Sequence, residues 1–394
     1  MEEQAPIKFN LPTRFGTELH AVEEAILKNR HTAADGDFAR RCEEILSAMM
    51  GDAPVLLTTS ATSALEMMGL LLELSPGDEV ILPSYAFVSA ANAFALRGAT
   101  VVLADCDAQG NLSVDEVRRL TNARTRAVCV IHYAGSSCDM NALVDFCAEK
   151  RIVLLEDAAQ AIGANFQGKP LGSFGALACF SFHQTKNISS GEGGALIVND
   201  PRYLRRAYII HQKGTNRHDF IYGKVSRYSW RDIGGSHGIS EINSACLFEQ
   251  LKNFKTIQAR RQEIWETYHR YFANLKFSDV RVWEPNPYNQ QNWHMFALVF
   301  DDENSRSEFQ KSLKKLGIET ATHFEPLHSS PFATSGTNLV RSNSTFPKTD
   351  RLSVGLLRFP IYYNLSEQEL ERVLAAIASA SSDRASSPRK SKRG

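Results

Sequence analysis

A single lysine stands in a polar turn between two apolar runs. Residues Ala176–Val198 read ALACFSFHQTKNISSGEGGALIV, with Ala178–Phe182 and Ala195–Val198 composed like buried strands. Lys186 lies between them, followed by Gly191, Gly193 and Gly194. An ammonium group beside buried strands is costly to keep charged, so such a lysine is solvated, paired, or bonded to an aldehyde. In the third case desolvation lowers the amine pKa and makes it a nucleophile for Schiff-base chemistry. From the loop alone, an ordinary surface lysine is the plainer alternative.

Three other groups carry chemistry of their own. Thr59-Ser60-Ala61-Thr62-Ser63-Ala64 follows the run Val55–Thr58 and precedes an apolar helix over Leu65–Leu74. Small hydroxyl residues at a helix N-terminus suit a phosphate, because free N–H groups and the helix dipole face the anion. They equally suit a simple N-cap. Asp157 follows IVLLE and is therefore expected to be buried, where its carboxylate needs a cation or several donors. A protonated pyridine nitrogen fits that need, and so does a structural role capping the next helix. Phe87 can stack on a flat ring or simply join the core.

These groups must be positioned by regular elements. Strands are expected at Val80–Pro83, Thr100–Ala104, Ala127–His132 and Ile152–Glu156, and helices at Ser89–Arg97, Ser113–Leu120 and Asn141–Lys150. Near-continuous β-branched runs separated by helices indicate an α/β fold with a mostly parallel sheet, covered on both faces. Ligands of such sheets bind beyond the strand carboxyl ends, where Phe87, His132, Asp157 and Gln160 fall. Two more helices are expected over Glu18–Lys28 and Phe38–Met50, and a helical turn runs from Asp200 to His211. Lys213–Arg231 reads as a long irregular, basic and aromatic segment, and Glu241–Phe272 as one or two long helices bridging to a second domain. That domain carries a strand at Met295–Phe300, a helix around Ser305–Leu316, a strand at Ile318–Thr322 and a helix at Glu367–Ser379. The expected organisation is a large domain over 1–245, a smaller α+β domain over 246–379, and a disordered basic tail over 380–394.

Composition excludes several function classes. The 394 residues are 43% hydrophobic and carry 44 basic against 44 acidic side chains, so no bulk field favours nucleic acid or an anionic membrane. Seven dispersed cysteines, none in CxxC, argue against a disulfide framework or a zinc site. His323 and His328 lie five apart but have no evident third ligand, so no metal is expected. The start, MEEQAPIKFN, has neither a basic nor an apolar signal region, and no apolar run is long enough to span a bilayer. A cytoplasmic protein is the expectation.

A phosphate cradle, a ring-stacking aromatic, an acid and a lysine, in that chain order, are the groups pyridoxal 5'-phosphate requires of a protein. With the motifs SATSALEMM, LPSYAFVSAANAF, EDAAQ, CFSFHQTKN and GEGGALIVND, the chain resembles the DegT/DnrJ/EryC1/StrS sugar aminotransferases over about Ile7 to Ala378. The resemblance implies a fold type I aminotransferase, pyridoxal 5'-phosphate as cofactor, and a homodimer with active sites at the subunit interface. By position it makes Lys186 the Schiff-base lysine and Asp157 the partner of the pyridine nitrogen. It places Gln160 near the ring hydroxyl and Phe87 on the ring face, and gives Thr62, Ser63 and Ser181 to the phosphate. Many members read Gly-Tyr-Asn-Tyr-Arg before the helix that starts after Ser240, with that Asn reaching the phosphate across the dimer. Here Gly234–Gly238 puts Ser236 at the Asn position and Gly238 at the Arg.

That departure, with KGTNR, YSWRDIGGS and FEPLH, resembles the subgroup making dTDP-4-amino-4,6-dideoxygalactose for bacterial surface polysaccharide. It implies dTDP-4-dehydro-6-deoxyglucose as acceptor and glutamate as donor. The gluco epimer and a UDP-linked ketosugar are the near alternatives, and a non-catalytic cofactor sensor the remote one. Tyrosines and arginines within Lys213–Arg231 are candidates for the nucleotide or, equally, for a dimer interface.

Overall fold

A computed structural model describes residues 5–273, 279–342 and 345–386. Its main sheet has eight strands, in the spatial order Val55–Thr58, Gly194–Val198, Leu177–Ser181, Val153–Asp157, Thr125–Ile131, Glu79–Pro83, Thr100–Ala104 and Val340–Arg341. Only Gly194–Val198 runs against the others, pairing antiparallel with both of its neighbours. The parallel pairs carry the predicted apolar runs in register, for example Val128 beside Leu154 and Ile131 beside Asp157.

Alternate residues of these strands feed two cores, as the two-residue period of a strand requires. Leu57, Ile81, Val102 and Val128 pack on one face, while Leu56, Val80, Val101 and Leu103 pack on the other. The helices Asp37–Met49 and Met140–Lys150 cover the first face, and Ala61–Leu71 and Val88–Ala95 the second. The first-face core also takes in Ala245, Leu247 and Leu251 of the helix Glu241–Lys252.

The expected bridge over Glu241–Phe272 is two helices, Glu241–Lys252 and Phe254–Ala273. The second of them packs on a three-stranded antiparallel sheet of Val280–Val282, Phe296–Phe300 and Leu356–Phe359. Phe296, Leu298, Phe309, Val373 and Ile377 form the core of this smaller unit.

Four expectations are corrected. Ile318–Thr322 is not a strand: Ile318 bridges to Ile7 and Ala321 to Arg358, because the segment runs along a seam and pairs on alternate sides. The strand Leu356–Phe359 was not anticipated; its arginine interrupts the apolar run that would have marked it. Lys213–Arg231 contains a short helix, Arg217–Ile221, rather than being wholly irregular. The last helix runs through Ser386, since Ala380 continues the buried Val373–Ile377 stripe; residues 387–394 of the expected tail lie outside the described residues. Among the described residues no helix is long and apolar enough to cross a membrane.

Candidate active site

Five parallel strands end at one cleft of about 510 Å3, closed from the opposite side by the smaller unit. Asp157 is the last residue of its strand and is buried, 7% exposed. Its Oδ1 accepts hydrogen bonds from the Ala159 N–H (3.0 Å) and the Cys179 thiol (3.6 Å). Burial raises its pKa, opposed by the Ala159 N–H and by the positive Lys186. Lys186 is partly buried in the turn after Ser181, and desolvation lowers its amine from 10.5 to about 8, against the pull of Asp157. Acid and amine therefore share one cavity, each shifted toward its neutral form.

The polar turn after Val55–Thr58 resolves into both of its readings. Ser60 is the N-cap of the helix Ala61–Leu71, its Oγ accepting from the Ser63 N–H. Thr62 faces the cleft and donates to Ser89 Oγ (2.8 Å), so a second helix start, that of Val88–Ala95, meets it there. The helix can sit this close because residue 194 is glycine: a Cβ there would lie 2.3 Å from the Ser60 carbonyl carbon and 2.4 Å from the Ala61 nitrogen.

Six predicted residues line the cleft together: Lys186, Asp157, Gln160, Thr62, Ser181 and Phe87. Gln160 Oε1 accepts from the Ala134 N–H (2.7 Å), leaving its amide donors for the cavity. Phe87 is 58% exposed at the mouth, its ring 6.2 Å from that of Phe324. Two predicted residues stand elsewhere. Ser63 Oγ is bonded to His237 Nδ1 (2.6 Å), behind the helix start. Ser236 is exposed and is not part of the cleft wall of its own chain. The Lys213–Arg231 candidates also stand apart from the cleft, with Tyr222, Tyr228 and Trp230 exposed. His323 bonds Tyr133 and His328 bonds Ser84, and no group of three metal-ligating side chains forms among the described residues.

The opposite wall holds residues that sequence reasoning passed over. Arg261, 3% exposed, donates to the carbonyls of Trp293, Ile361 and His294. His294 Nδ1 donates to Asn187 Oδ1 (2.8 Å), because the Asn187 amide nitrogen is already committed to Gln258 and Asn292. Burial drives His294 and His323 far below the ordinary histidine range, so both rings are neutral. Arg358 lies among them under the Phe9 ring, 4.8 Å from its centroid. On the first wall, His132 lines the cleft and donates to a fully buried Glu156 (2.7 Å), which also accepts the N–H groups of Gly172, Phe174 and Gly175. An arginine inside an apolar strand, LLRFP, was the one available signal for Arg358.

Residues present fit pyridoxal phosphate on the chemistry of the donor set. A capped helix start approached to contact distance by Gly194 faces the cavity with two hydroxyls. A buried carboxylate and an amine of lowered pKa line the same cavity.

Comparison with known proteins gives the same assignment. The pattern of the DegT/DnrJ/EryC1/StrS aminotransferase family matches residues 14–378. The aminotransferase TlmJ from Streptoalloteichus hindustanus is similar in structure, with TM-score 0.87 and 26% identity, over 96% of this chain and 100% of that one. DesV of S. venezuelae matches with TM-score 0.81 and 26% identity over 92% and 93%. The putative sugar aminotransferase Spr1654 from Streptococcus pneumoniae, solved in a PLP form, shares the fold at TM-score 0.85 and 23% identity, over 96% and 99%.

Proposed function

The chain belongs to the DegT/DnrJ/EryC1/StrS aminotransferase family, and on that premise we propose that it transfers the amino group of L-glutamate to C4 of a nucleotide-linked 4-ketosugar. The favoured acceptor is dTDP-4-dehydro-6-deoxyglucose, giving dTDP-4-amino-4,6-dideoxygalactose for a bacterial surface polysaccharide. The enzyme works in the cytoplasm as a homodimer with pyridoxal phosphate as its cofactor. One observation carries this reading: Lys186, Asp157, Gln160, Ser181, Thr62 and Phe87 line a single cavity at the strand ends.

When bound, pyridoxal phosphate supplies an aldehyde for the donor amine and a ring that takes up electrons from the donor's α-carbon. The chain's own residues do the rest. Asp157 supplies the negative charge that keeps a ring nitrogen protonated, and burial strengthens that interaction by lowering the local dielectric. Lys186 Nζ, with a pKa near 8, would take the proton from the donor's α-carbon as a neutral amine and hold it as an ammonium for delivery to the bound cofactor. The N–H groups at the start of Ala61–Leu71, with the Thr62 and Ser181 hydroxyls, hold the phosphate. Gln160 fixes the ring hydroxyl side through its free amide donors. Phe87 and Phe324 cover the mouth.

The segments KGTNR, YSWRDIGGS and FEPLH support the galacto assignment. The test is incubation of the purified enzyme with glutamate and dTDP-4-dehydro-6-deoxyglucose, followed by NMR of the product. An axial amine at C4 is expected. An equatorial amine would overturn the galacto assignment, and no amine transfer to any nucleotide ketosugar would overturn the function.

A further inference from the structure

One histidine of the cleft is held in a single tautomer. The Asn187 amide nitrogen donates to the Asn292 carbonyl (2.8 Å) and to Gln258 Oε1 (3.0 Å). A backbone carbonyl can only accept, so Asn187 Oδ1 is the atom turned to His294. His294 Nδ1 therefore carries the proton across the 2.8 Å between them, and the proton-free nitrogen of this neutral ring is Nε2. The residue is 8% exposed, its backbone carbonyl is fixed by Arg261, and no hydrogen bond engages Nε2 among the described residues. That nitrogen is not sealed in the interior, as His132 Nδ1 is, but opens on the cleft. A buried, oriented lone pair with nothing to accept is left for a ligand that brings a donor.

We infer that His294 Nε2 accepts the hydrogen bond of the ketosugar's C3 hydroxyl and so selects the amino acceptor. The inference deepens the proposed function above and rests on it. The two substrates use this cavity in turn, and they differ in what they offer. Glutamate brings two carboxylates, which a lone pair repels, and its one donor is the amine that reacts. A 4-ketosugar brings neutral hydroxyls at C2 and C3. The C3 hydroxyl stands on the carbon bonded to C4, where Lys186 acts, and the residue that holds the His294 ring is Asn187, next in the chain to Lys186. The positive Lys186 is among the groups that hold His294 neutral, which puts the two side chains in one neighbourhood. Arg261 and Arg358 on the same wall can only donate, so neither takes the proton of this hydroxyl.

The test pairs His294→Asn with a change in the substrate. In the asparagine form the amide nitrogen stands near the place of Nδ1 and can still serve Asn187, while the acceptor at Nε2 is gone. The cofactor-loaded wild type and variant are each given dTDP-4-dehydro-6-deoxyglucose and its 3-deoxy analogue, with kcat/KM measured for both sugars and for glutamate. Wild type is expected to favour the parent sugar about tenfold, the worth of one hydrogen bond at a desolvated site. The variant should lose about tenfold on the parent sugar, change little on the analogue, and so treat the two alike. Its kcat/KM for glutamate should stay within about twofold of wild type, as for a group that touches only one substrate. A variant that keeps the tenfold preference would overturn the inference, as would an equal loss with glutamate and with both sugars. Should the asparagine form fail to fold by circular dichroism, wild type alone decides: a preference of about tenfold supports the inference, and one under twofold overturns it. If wild type transfers no amine to a ketosugar, the functional reading fails and this inference falls with it. Wild-type turnover with an unaltered variant sinks this inference alone.

Discussion

The two walls of the cleft are built by different means. The wall formed by the large sheet presents strand ends, helix starts and short polar side chains, and it carries Asp157 and Lys186 together. The wall formed by the smaller unit presents long side chains carried in from a helix and two strands: Arg261 from Phe254–Ala273, His294 beside Phe296–Phe300, and Arg358 within Leu356–Phe359. Backbone groups on the first wall suit a ligand that never leaves, because they need no side-chain ordering to bind it. Side chains on the second wall suit ligands that come and go. A cofactor side and a substrate side follow from this difference.

The largest effect expected on the first wall is at Lys186. Replacing it with alanine removes both the aldehyde-binding amine and the proton carrier, so turnover falls by several orders of magnitude and the absorbance of the lysine–cofactor bond disappears. A variant that keeps both would break the comparison at its root. The same residue gives a pH signature in the cofactor-free protein. Between pH 8 and 10.5 the folded lysine has lost the proton that the unfolded one still holds, so the unfolded state binds more protons. Stability therefore gains a component that rises with pH through that window. Denaturant midpoints at both ends of the window read it, and Lys186→Ala is expected to abolish the rise.

Asp157→Asn comes next. The amide fills the same space and keeps the Ala159 contact within reach, but it removes the negative charge. A loss of about 100- to 1,000-fold in kcat is expected, the scale of other preorganised electrostatic contributions. Stability should hold or improve, since burial already raises the carboxyl pKa in the folded state. A kcat loss under tenfold would remove Asp157 from the chemistry.

The walls also differ in how legible they are in the sequence. First-wall residues stand close to apolar runs or helix starts: Asp157 directly follows IVLLE, and Lys186 stands in the polar turn after CFSF, with His183–Thr185 between. Thr62 is marked in the same way, but Ser63 beside it is not distinguishable by type: only the His237 ring, 174 positions away, draws its hydroxyl off the cleft. Arg261 and Arg358 line the same cleft because two distant segments fold together, and no local period records that. Leu356–Phe359 was missed for the same reason, as its pattern reads correctly only once Phe296–Phe300 lies beside it.

On the second wall, Arg261→Met tests whether that arginine is structure and not substrate binding. The substitution leaves the carbonyls of Trp293, Ile361 and His294 without their buried donor, and a loss of about 3 kcal/mol in stability is expected. Urea unfolding measures it. The variant that remains folded should keep its glutamate KM within a few-fold of wild type. A large KM effect with intact stability would place Arg261 among the substrate-binding groups instead.

The smallest effects lie at two adjacent hydroxyls on the first wall, and they sharpen the comparison most finely. Thr62 faces the cavity beside Ser89, so Thr62→Val should weaken pyridoxal phosphate binding by about tenfold, the worth of one hydrogen bond to a charged group. Ser63 turns away, its N–H taken by the Ser60 cap and its hydroxyl by His237. Ser63→Ala should therefore leave the cofactor Kd within about twofold and cost about 1 kcal/mol of stability. His237 Nε2 has no hydrogen-bond partner among the described residues, so the alanine would leave that ring with neither nitrogen bonded there. Cofactor titration of the two variants side by side decides it. Equal losses of affinity would place both hydroxyls at the phosphate and show that the first wall binds with more side chains than its geometry gives it.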